Sequence, residues 1–253
     1  MQTNRTKAKL KAGETVFGCF VRYPEPSLAE MMGYQGWDFL VFDAEHGVLD
    51  PRECENLVRA AELRGVTPMV RLTTNQPPVT LRFMDSGAQG VHVPWVNTVP
   101  EAETAVRSVK YYPRGTRGLA GVRAADFGQT VPLGDYVKLA NSETLVVLQI
   151  ETVEAVQCLP EIVEIDGVDV IFIGPMDLSQ SLGVPGQPQH PSVLDVMQRI
   201  CDVVLSSKAA LGIMTGNAKS AREWQTRGAR YISTTIESLI NPAAREYLRL
   251  ARN

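Results

Sequence analysis

The stretch "FLVFDAEHGVLDPRECENLVRAAELRG", residues 39–65, contains the two patterns that decide the fold. Four of its first five residues are apolar, which is typical of a strand buried on both faces of a parallel sheet. An amphipathic pattern follows, with Asp50 suited to cap a helix, Pro51 to its first turn and Gly65 to its C-terminal end. The stretch therefore predicts a strand followed directly by a helix.

The same strand-then-helix pattern recurs along the whole chain. Apolar runs rich in Val and Ile predict seven further strands, at 15–21, 67–72, 90–96, 144–151, 169–174, 210–215 and 230–236. Eight such units in 253 residues are the size and rhythm of a (β/α)8 TIM barrel. A doubly wound sheet also alternates, but no Gly-x-Gly-x-x-Gly turn follows the first strand. We therefore predict that residues 1–253 form a single TIM-barrel domain.

Charge and composition narrow the possible partners and location. The net charge of -3 gives no electrostatic reason to bind nucleic acid or an acidic membrane surface, and no apolar run approaches the ~20 residues of a membrane span. The basic segment 1–18 lacks the apolar core of a signal peptide, and we interpret it as a solvated first helix. The four cysteines are scattered and indicate ordinary thiols. We therefore expect a cytoplasmic protein.

Polar side chains gather where the predicted strands end, which is where TIM-barrel enzymes place their chemistry. The strand starts carry few such residues. Those at the ends are Asp43, Glu45 and His46, then Arg71, then Gln149 and Glu151, and finally Asp177 just beyond Gly174 and Pro175. The pattern predicts an active site at this end of the barrel.

Glu151 and Asp177 follow successive strands, so the fold would make them neighbours. Two carboxylates in one pocket repel unless one is protonated or a cation lies between them. Carboxylate oxygens with water are ligands for Mg²⁺, Mn²⁺ or Co²⁺. Ion pairs with Arg71 or Arg123 would explain the acids equally well, so the spacing alone leaves both possibilities open.

Asp43 and His46, three positions apart, suggest a carboxylate that orients an imidazole to act as a base. A histidine satisfied within the loop is the alternative. The guanidinium of Arg71 is suited to an oxyanion, and the turn at residues 174–177 offers main-chain N–H groups to a small anion. No lysine ends an apolar strand and no Gly-x-Ser-x-Gly motif occurs, which argues against Schiff-base chemistry and serine hydrolysis.

Five motifs together resemble the HpcH/HpaI family of class II, metal-dependent pyruvate aldolases. They are "FDAEHG" (42–47), "GAQGVHVPWVNT" (87–98), "YYPRGTRG" (111–118), "QIETVEAV" (149–156) and "GVDVIFIGPMDLSQSLG" (167–183). The resemblance runs from about Gly18 to the C-terminus. It implies cleavage or formation of 4-hydroxy-2-oxo acids from an aldehyde and pyruvate or a similar 2-oxo acid, with a divalent ion. It also implies a hexamer, a dimer of trimers, with a C-terminal helix near 238–252 exchanged between barrels.

The resemblance also implies roles for individual residues. Glu151 and Asp177 match the two metal ligands, and Gln149 matches the glutamine beside the metal-bound substrate. Arg71 matches the arginine that contacts the keto oxygen. His46 matches the histidine linked to proton transfer, with Asp43 as its dyad partner.

Further positions bear on the metal's surroundings and on substrate size. Glu45 and Asp85 match acids of the metal's water network, and we expect Asp85 to serve a neighbouring subunit. Gly174, Pro175 and Met176 line the predicted substrate pocket, where alanine is common in place of Met176. Phe20, a tryptophan in the type aldolase, and Met214 are the other expected contributors to the pocket.

Two other functions are compatible with the sequence. A lyase of citramalyl-CoA or malyl-CoA type would share the fold and the metal, but "RGTRG" (114–118) is the one basic cluster suited to its phosphates. A non-catalytic barrel that binds an oxo acid would not need the acids, histidine and arginine together.

Overall fold

Eight parallel strands close into a barrel in chain order in the computed structural model, which describes residues 1–252. The strands are β1 Val16–Val21, β2 Phe39–Asp43, β3 Thr67–Arg71, β4 Gly90–Val93, β5 Leu145–Ile150, β6 Val170–Ile173, β7 Ala210–Met214 and β8 Tyr231–Thr235. The predicted TIM barrel is confirmed, and each observed strand lies inside the range predicted for it. The observed strands are shorter because residues at one or both predicted ends lie outside the sheet.

Helices precede, connect and follow the strands. They are α1 Arg5–Lys11, α2 Pro26–Gly33, α3 Pro51–Glu62, α4 Pro77–Asp85, α5 Val99–Val109, α6 Leu133–Glu143, α7 Val153–Ile162, α8 Pro175–Ser181, α9 Pro191–Leu205, α10 Ala218–Thr226 and α11 Ile236–Ala251, with a 3₁₀ segment at Arg123–Gly128. The predicted cap of α3 is present, because Asp50 and Glu53 form a reciprocal capping box. Among residues 1–252, no helix has the length and apolar character needed to cross a membrane.

Aromatic rings fill the inside of the barrel. The ring of Phe20 contacts that of His92 edge-on, with 5.3 Å between centroids, and Phe39 stacks on Tyr231 at 4.1 Å. The Nε2 atom of His92 lies 2.7 Å from the Tyr231 hydroxyl. Burial lowers the pKa of His92 well below its ordinary value, as expected for a neutral ring packed inside the barrel. The barrel is therefore a packed core, and a pocket can form only at its ends.

The first helix differs from the solvated helix that we expected. Leu10 of α1 belongs to the cluster inside the barrel. The Nζ atom of Lys7 donates to the main-chain oxygen of Thr144 at 2.6 Å and pairs with Asp169 at 3.0 Å. The expectation was wrong because α1 covers the N-terminal end of the barrel, where the stem and charge of Lys7 both find partners.

The last helix leaves most of its apolar side chains uncovered. Ile236 is the one buried residue of α11. The exposed apolar residues of this helix are Leu239, Ile240, Tyr247, Leu248 and Leu250. An exposed apolar face of this kind marks an interaction surface.

Candidate active site

The register of the barrel brings Asp43 and Arg71 together. They end β2 and β3 and are direct partners across these two strands. Arg71 donates from Nε to Oδ1 of Asp43 at 2.8 Å and from Nη2 to Oδ2 at 2.6 Å, a bidentate ion pair. Burial acts to raise the pKa of Asp43, but Arg71 outweighs it and keeps this pKa below its ordinary value. The Arg71 guanidinium also lies 5.0 Å above the ring of Phe20, so its position is fixed from two sides.

Asp43 does not bond the imidazole of His46, so the predicted pairing of these two side chains is wrong. Oδ1 of Asp43 accepts the main-chain N–H groups of Glu45 and His46, each at 3.2 Å, besides the Nε–H of Arg71. Oδ2 accepts from Arg71 and, at 3.3 Å, from Arg22. Both carboxylate oxygens are thus occupied, and no acceptor is left for the ring.

The imidazole of His46 instead lies at the mouth of the strand-end cluster. Its Nε2 atom is 3.9 Å from Oε2 of Glu45, and its side chain is 56% exposed. Glu45 is also 3.2 Å from Nη1 of Arg71. Burial raises the pKa of Glu45, while the charge of Arg71 partly opposes this rise. His46 therefore keeps a carboxylate neighbour, although a different one from that predicted.

Glu151 lies directly after β5, buried among donors that fix both of its oxygens. Oε1 accepts the main-chain N–H of Trp95 at 2.7 Å, and Oε2 accepts Nε2 of Gln149 at 2.9 Å. Burial raises the pKa of Glu151 to about 7, and the charges of Asp177 and Glu45 push it in the same direction. The cluster thus contains three carboxylates whose charges oppose one another.

The alternative of ion pairs for the two predicted metal ligands is not realised. Within residues 1–252, neither Glu151 nor Asp177 pairs with a basic side chain. Arg71 pairs with Asp43 and Glu45 at the end of β2. Arg123 pairs with Glu62. Glu151 and Asp177 therefore lack a cation of the protein's own.

The donor set fits a hard divalent cation. The Oε1 atom of Gln149 is buried beside Glu151 and has no hydrogen-bond partner. No group of three or more His, Cys, Asp or Glu side chains is arranged for a metal among the described residues. The protein would therefore supply the two carboxylates of Glu151 and Asp177, and water or substrate would complete the oxygen ligands.

The turn that carries Asp177 approaches Glu151 closely. A Cβ atom on Gly174 would lie 2.6 Å from Oε2 of Glu151 and 2.8 Å from its Cβ, so only glycine fits between β6 and α8. Pro175 begins α8, which places Asp177 in its first turn, where a negative charge is favoured. The short turn thus brings Asp177, at the start of α8, close enough for its charge to act on Glu151.

The predicted substrate residues lie at different depths. Met176 is 57% exposed at the strand-end face. Phe20 is buried below Arg71 and forms a floor rather than a wall of the pocket. Met214, at the end of β7, is partly buried against the core inside the barrel. Of these three side chains, Met176 is the one that the structure leaves open to a ligand.

Asp85 does not belong to the strand-end cluster of its own chain. It is the last residue of α4, and one of its carboxylate oxygens accepts Nη2 of Arg117 at 2.7 Å. The helix leads away from the end of β3, so its last residue lies apart from Arg71. The expectation that Asp85 serves a neighbouring subunit stays a prediction.

Sequence reasoning missed two contributors to the cluster. Arg22 supports Asp43 from the end of β1, and the main-chain N–H of Trp95 holds Glu151. The arginine after a buried strand was a signal that could have been used. No sequence signal indicated the N–H of Trp95, because that contact depends on a main-chain conformation unusual for tryptophan.

Comparisons with known proteins identify the family of this chain. Residues 16–242 match the family HpcH/HpaI aldolase/citrate lyase. A hydroxypyruvate/pyruvate aldolase from Sagittula stellata is 36% identical over 247 residues, which cover 95% of this chain and 95% of the relative. A 4-hydroxy-2-oxo-heptane-1,7-dioate aldolase from Escherichia coli is 34% identical, covering 97% and 93%. The crystal structure of a family protein from Burkholderia cenocepacia superposes with a TM-score of 0.94 at 33% identity, covering 99% of this chain and 100% of the other.

Proposed function

This chain belongs to the HpcH/HpaI aldolase/citrate lyase family, and we propose that it is a metal-dependent class II aldolase. It is a carbon–carbon lyase whose substrates are 4-hydroxy-2-oxo acids, formed from an aldehyde and pyruvate or a similar small 2-oxo acid. The observation that carries the proposal is the buried Glu151, which faces the charge of Asp177 without a protein cation. The same end of the barrel carries Arg71, which two hydrogen bonds to Asp43 hold in place.

Glu151 and Asp177 would hold Mg²⁺, Mn²⁺ or Co²⁺, which when bound supplies Lewis-acid polarisation of the 2-oxo acid. Arg71 is held by Asp43 and Phe20, and we assign its remaining N–H groups to the keto oxygen. Because negative charge develops on this oxygen as the carbon–carbon bond breaks, an arginine ordered beforehand stabilises the transition state.

Proton transfer falls to the exposed histidine. In cleavage the 4-hydroxyl gives up its proton, the C3–C4 bond breaks, the aldehyde leaves and the bonding electron pair passes to C3. The enolate of the 2-oxo acid then takes a proton at C3. We assign both transfers to His46, whose ring is open to solvent and has Glu45 beside it, directly or through a water molecule.

A retro-aldol assay on 4-hydroxy-2-oxo acids tests the function. Wild-type protein with Mg²⁺, Mn²⁺ or Co²⁺ should release the 2-oxo acid and the aldehyde, and a chelator should stop the release. Cleavage of a citramalyl- or malyl-CoA thioester instead would favour that lyase, and binding without turnover would favour an oxo-acid sensor. The CoA alternative is the weaker one, because Arg114 and Arg117 of the basic cluster pair with Asp166 and Asp85.

We also propose a hexamer, a dimer of trimers, in which α11 is exchanged between subunits. The uncovered apolar side chains of α11 support this proposal, since a helix that packed on its own barrel would bury them. An open cavity lined by Phe17, Trp37 and Ile232 borders the start of the same helix. Light scattering of the purified protein tests the assembly, and a monomer at micromolar concentration would exclude it.

Replacing Met176 with Ala should relax the preference among 2-oxo acids. Met176 is exposed at the strand-end face, and we place its side chain near the methyl group of the bound 2-oxo acid. We therefore expect wild-type enzyme to prefer pyruvate or hydroxypyruvate to 2-oxobutyrate. The variant should recover roughly 1–3 kcal/mol for the added methylene, although the flexibility of methionine reduces the effect.

The measurement is the ratio of rates with pyruvate and 2-oxobutyrate on one aldehyde, in both proteins. Met31→Ala is the matched control, because Met31 is equally exposed but lies on α2, away from α8. An unchanged ratio in Met176→Ala would move the size selection to Phe20 or Met214.

A further inference from the structure

We propose that Trp95 is a positioning residue for the metal-binding cluster, and that the left-handed main-chain conformation at residue 95 aims its N–H at Glu151. This inference rests on the proposed function only in taking Glu151 as a metal ligand. Trp95 contributes through its main-chain N–H and is neither an acid nor a base.

The contact joins the ends of two neighbouring strands. Val93, the last residue of β4, pairs with Leu148 of β5, so Trp95 and Glu151 emerge side by side. The N–H of Trp95 lies 2.7 Å from Oε1 of Glu151. Gln149, from the same strand as Glu151, holds the other oxygen at 2.9 Å. The carboxylate is thus fixed at one oxygen by its own strand and at the other by the adjacent strand.

The main chain at residue 95 adopts a conformation that tryptophan disfavours. Its φ angle is +55°, in the left-handed region where a Cβ atom crowds the following carbonyl group. Asp126 and Phe127 are the other non-glycine residues with positive φ in residues 1–252, and both lie in the 3₁₀ segment. A bulky residue persists in such a conformation when its surroundings require it, and these residues cluster at functional sites.

The indole side chain of Trp95 lies beside a second carboxylate, a position that glycine, although unstrained here, would leave empty. The indole is partly exposed at the strand-end face. It lies near the carboxyl of Glu45 and opposes the effect of burial on the pKa of that group. Trp95 therefore binds Glu151 through its backbone and places its side chain beside Glu45, so that a single residue faces two of the three carboxylates.

Two substitutions separate the role of the backbone from that of the side chain. Trp95→Gly and Trp95→Val both remove the indole, but glycine adopts positive φ freely and β-branched valine does so least readily. The probe is Mn²⁺ alone, titrated calorimetrically into metal-free protein without substrate. We expect Trp95→Gly to bind Mn²⁺ within about threefold of wild type, and Trp95→Val to bind it at least about tenfold more weakly.

Trp95→Asn and Trp95→Ala make the test independent of how well the valine variant folds. Asparagine tolerates the left-handed region, so its Mn²⁺ affinity should resemble that of glycine, while alanine should fall between glycine and valine. Thermal unfolding of the metal-free proteins identifies any general loss of stability. A role in packing alone would make glycine the most damaging substitution, which is the reverse of the order that we expect.

Equal Mn²⁺ affinities of the glycine, alanine and valine variants would overturn the inference while leaving the proposed function intact. A wild-type protein that binds no Mn²⁺ would overturn the proposed function and the inference together. The affinity order glycine, alanine, valine supports the inference whatever the natural aldehyde is.

Discussion

Replacing Glu151 with Gln, or Asp177 with Asn, is expected to abolish aldolase activity through loss of the ion while the barrel stays folded. A hard cation held by two charged side chains loses much of its binding free energy when one charge is removed. The pKa of Glu151, raised to about 7, indicates that ionising this group has a cost in the metal-free protein. The neutral isostere should therefore fold at least as stably as wild type.

The measurements are turnover with saturating substrate, Mn²⁺ binding by calorimetry, and thermal unfolding followed by circular dichroism. Glu154→Gln is the matched control, since it makes the same chemical change on the exposed side of α7. The control should keep wild-type activity and Mn²⁺ affinity. Turnover near the wild-type rate in either site variant without added metal would show that the metal assignment is wrong.

Arg71→Lys should lower the rate by at least ~10²-fold, the scale of a lost oxyanion donor, although the charge is kept. Lysine cannot reproduce the two parallel hydrogen bonds that Arg71 donates to Asp43 at 2.8 and 2.6 Å. The carboxylate of Asp43, which is completely buried, would then lose its main partner. We therefore expect some loss of thermal stability together with the larger loss of rate.

The comparison with Arg114→Lys separates catalysis from structure. Arg114 forms an ion pair with Asp166 at the surface, 2.7 Å long, and its replacement should leave turnover unchanged. Mn²⁺ affinity measured on Arg71→Lys shows whether the carboxylate pair is still intact. A rate within a few-fold of wild type would assign Arg71 to structure alone.

The barrel was predictable because local signals agreed with the global fold. Strands buried on both faces are continuously apolar, and Asp50 with Pro51 marks the start of α3 in the sequence itself. The environment of α1 was not predictable in this way. Its lysines favour a solvated helix, and only the closed barrel supplies Thr144 and Asp169 as partners for Lys7.

TIM-barrel enzymes place their chemistry at the strand ends, and this rule predicted which residue types gather there. It did not predict which of them form hydrogen bonds with one another. Asp43 and His46 are close in sequence, yet Arg71 from the neighbouring strand takes the carboxylate through the register of the sheet. The role that we infer for Trp95 depends on a positive φ, which no side-chain pattern encodes. Sequence spacing thus predicts which groups meet at a barrel mouth better than it predicts which of them bond.

The close approach at Gly174 limits how the pocket can be redesigned. Any side chain there would push against Glu151, so a mutant library that randomises this codon should return glycine among its active clones. Diversity intended to widen the substrate range is better introduced at Met176, which is exposed and outside that contact. An engineer would then vary the shape of the pocket without moving the carboxylate on which the chemistry depends.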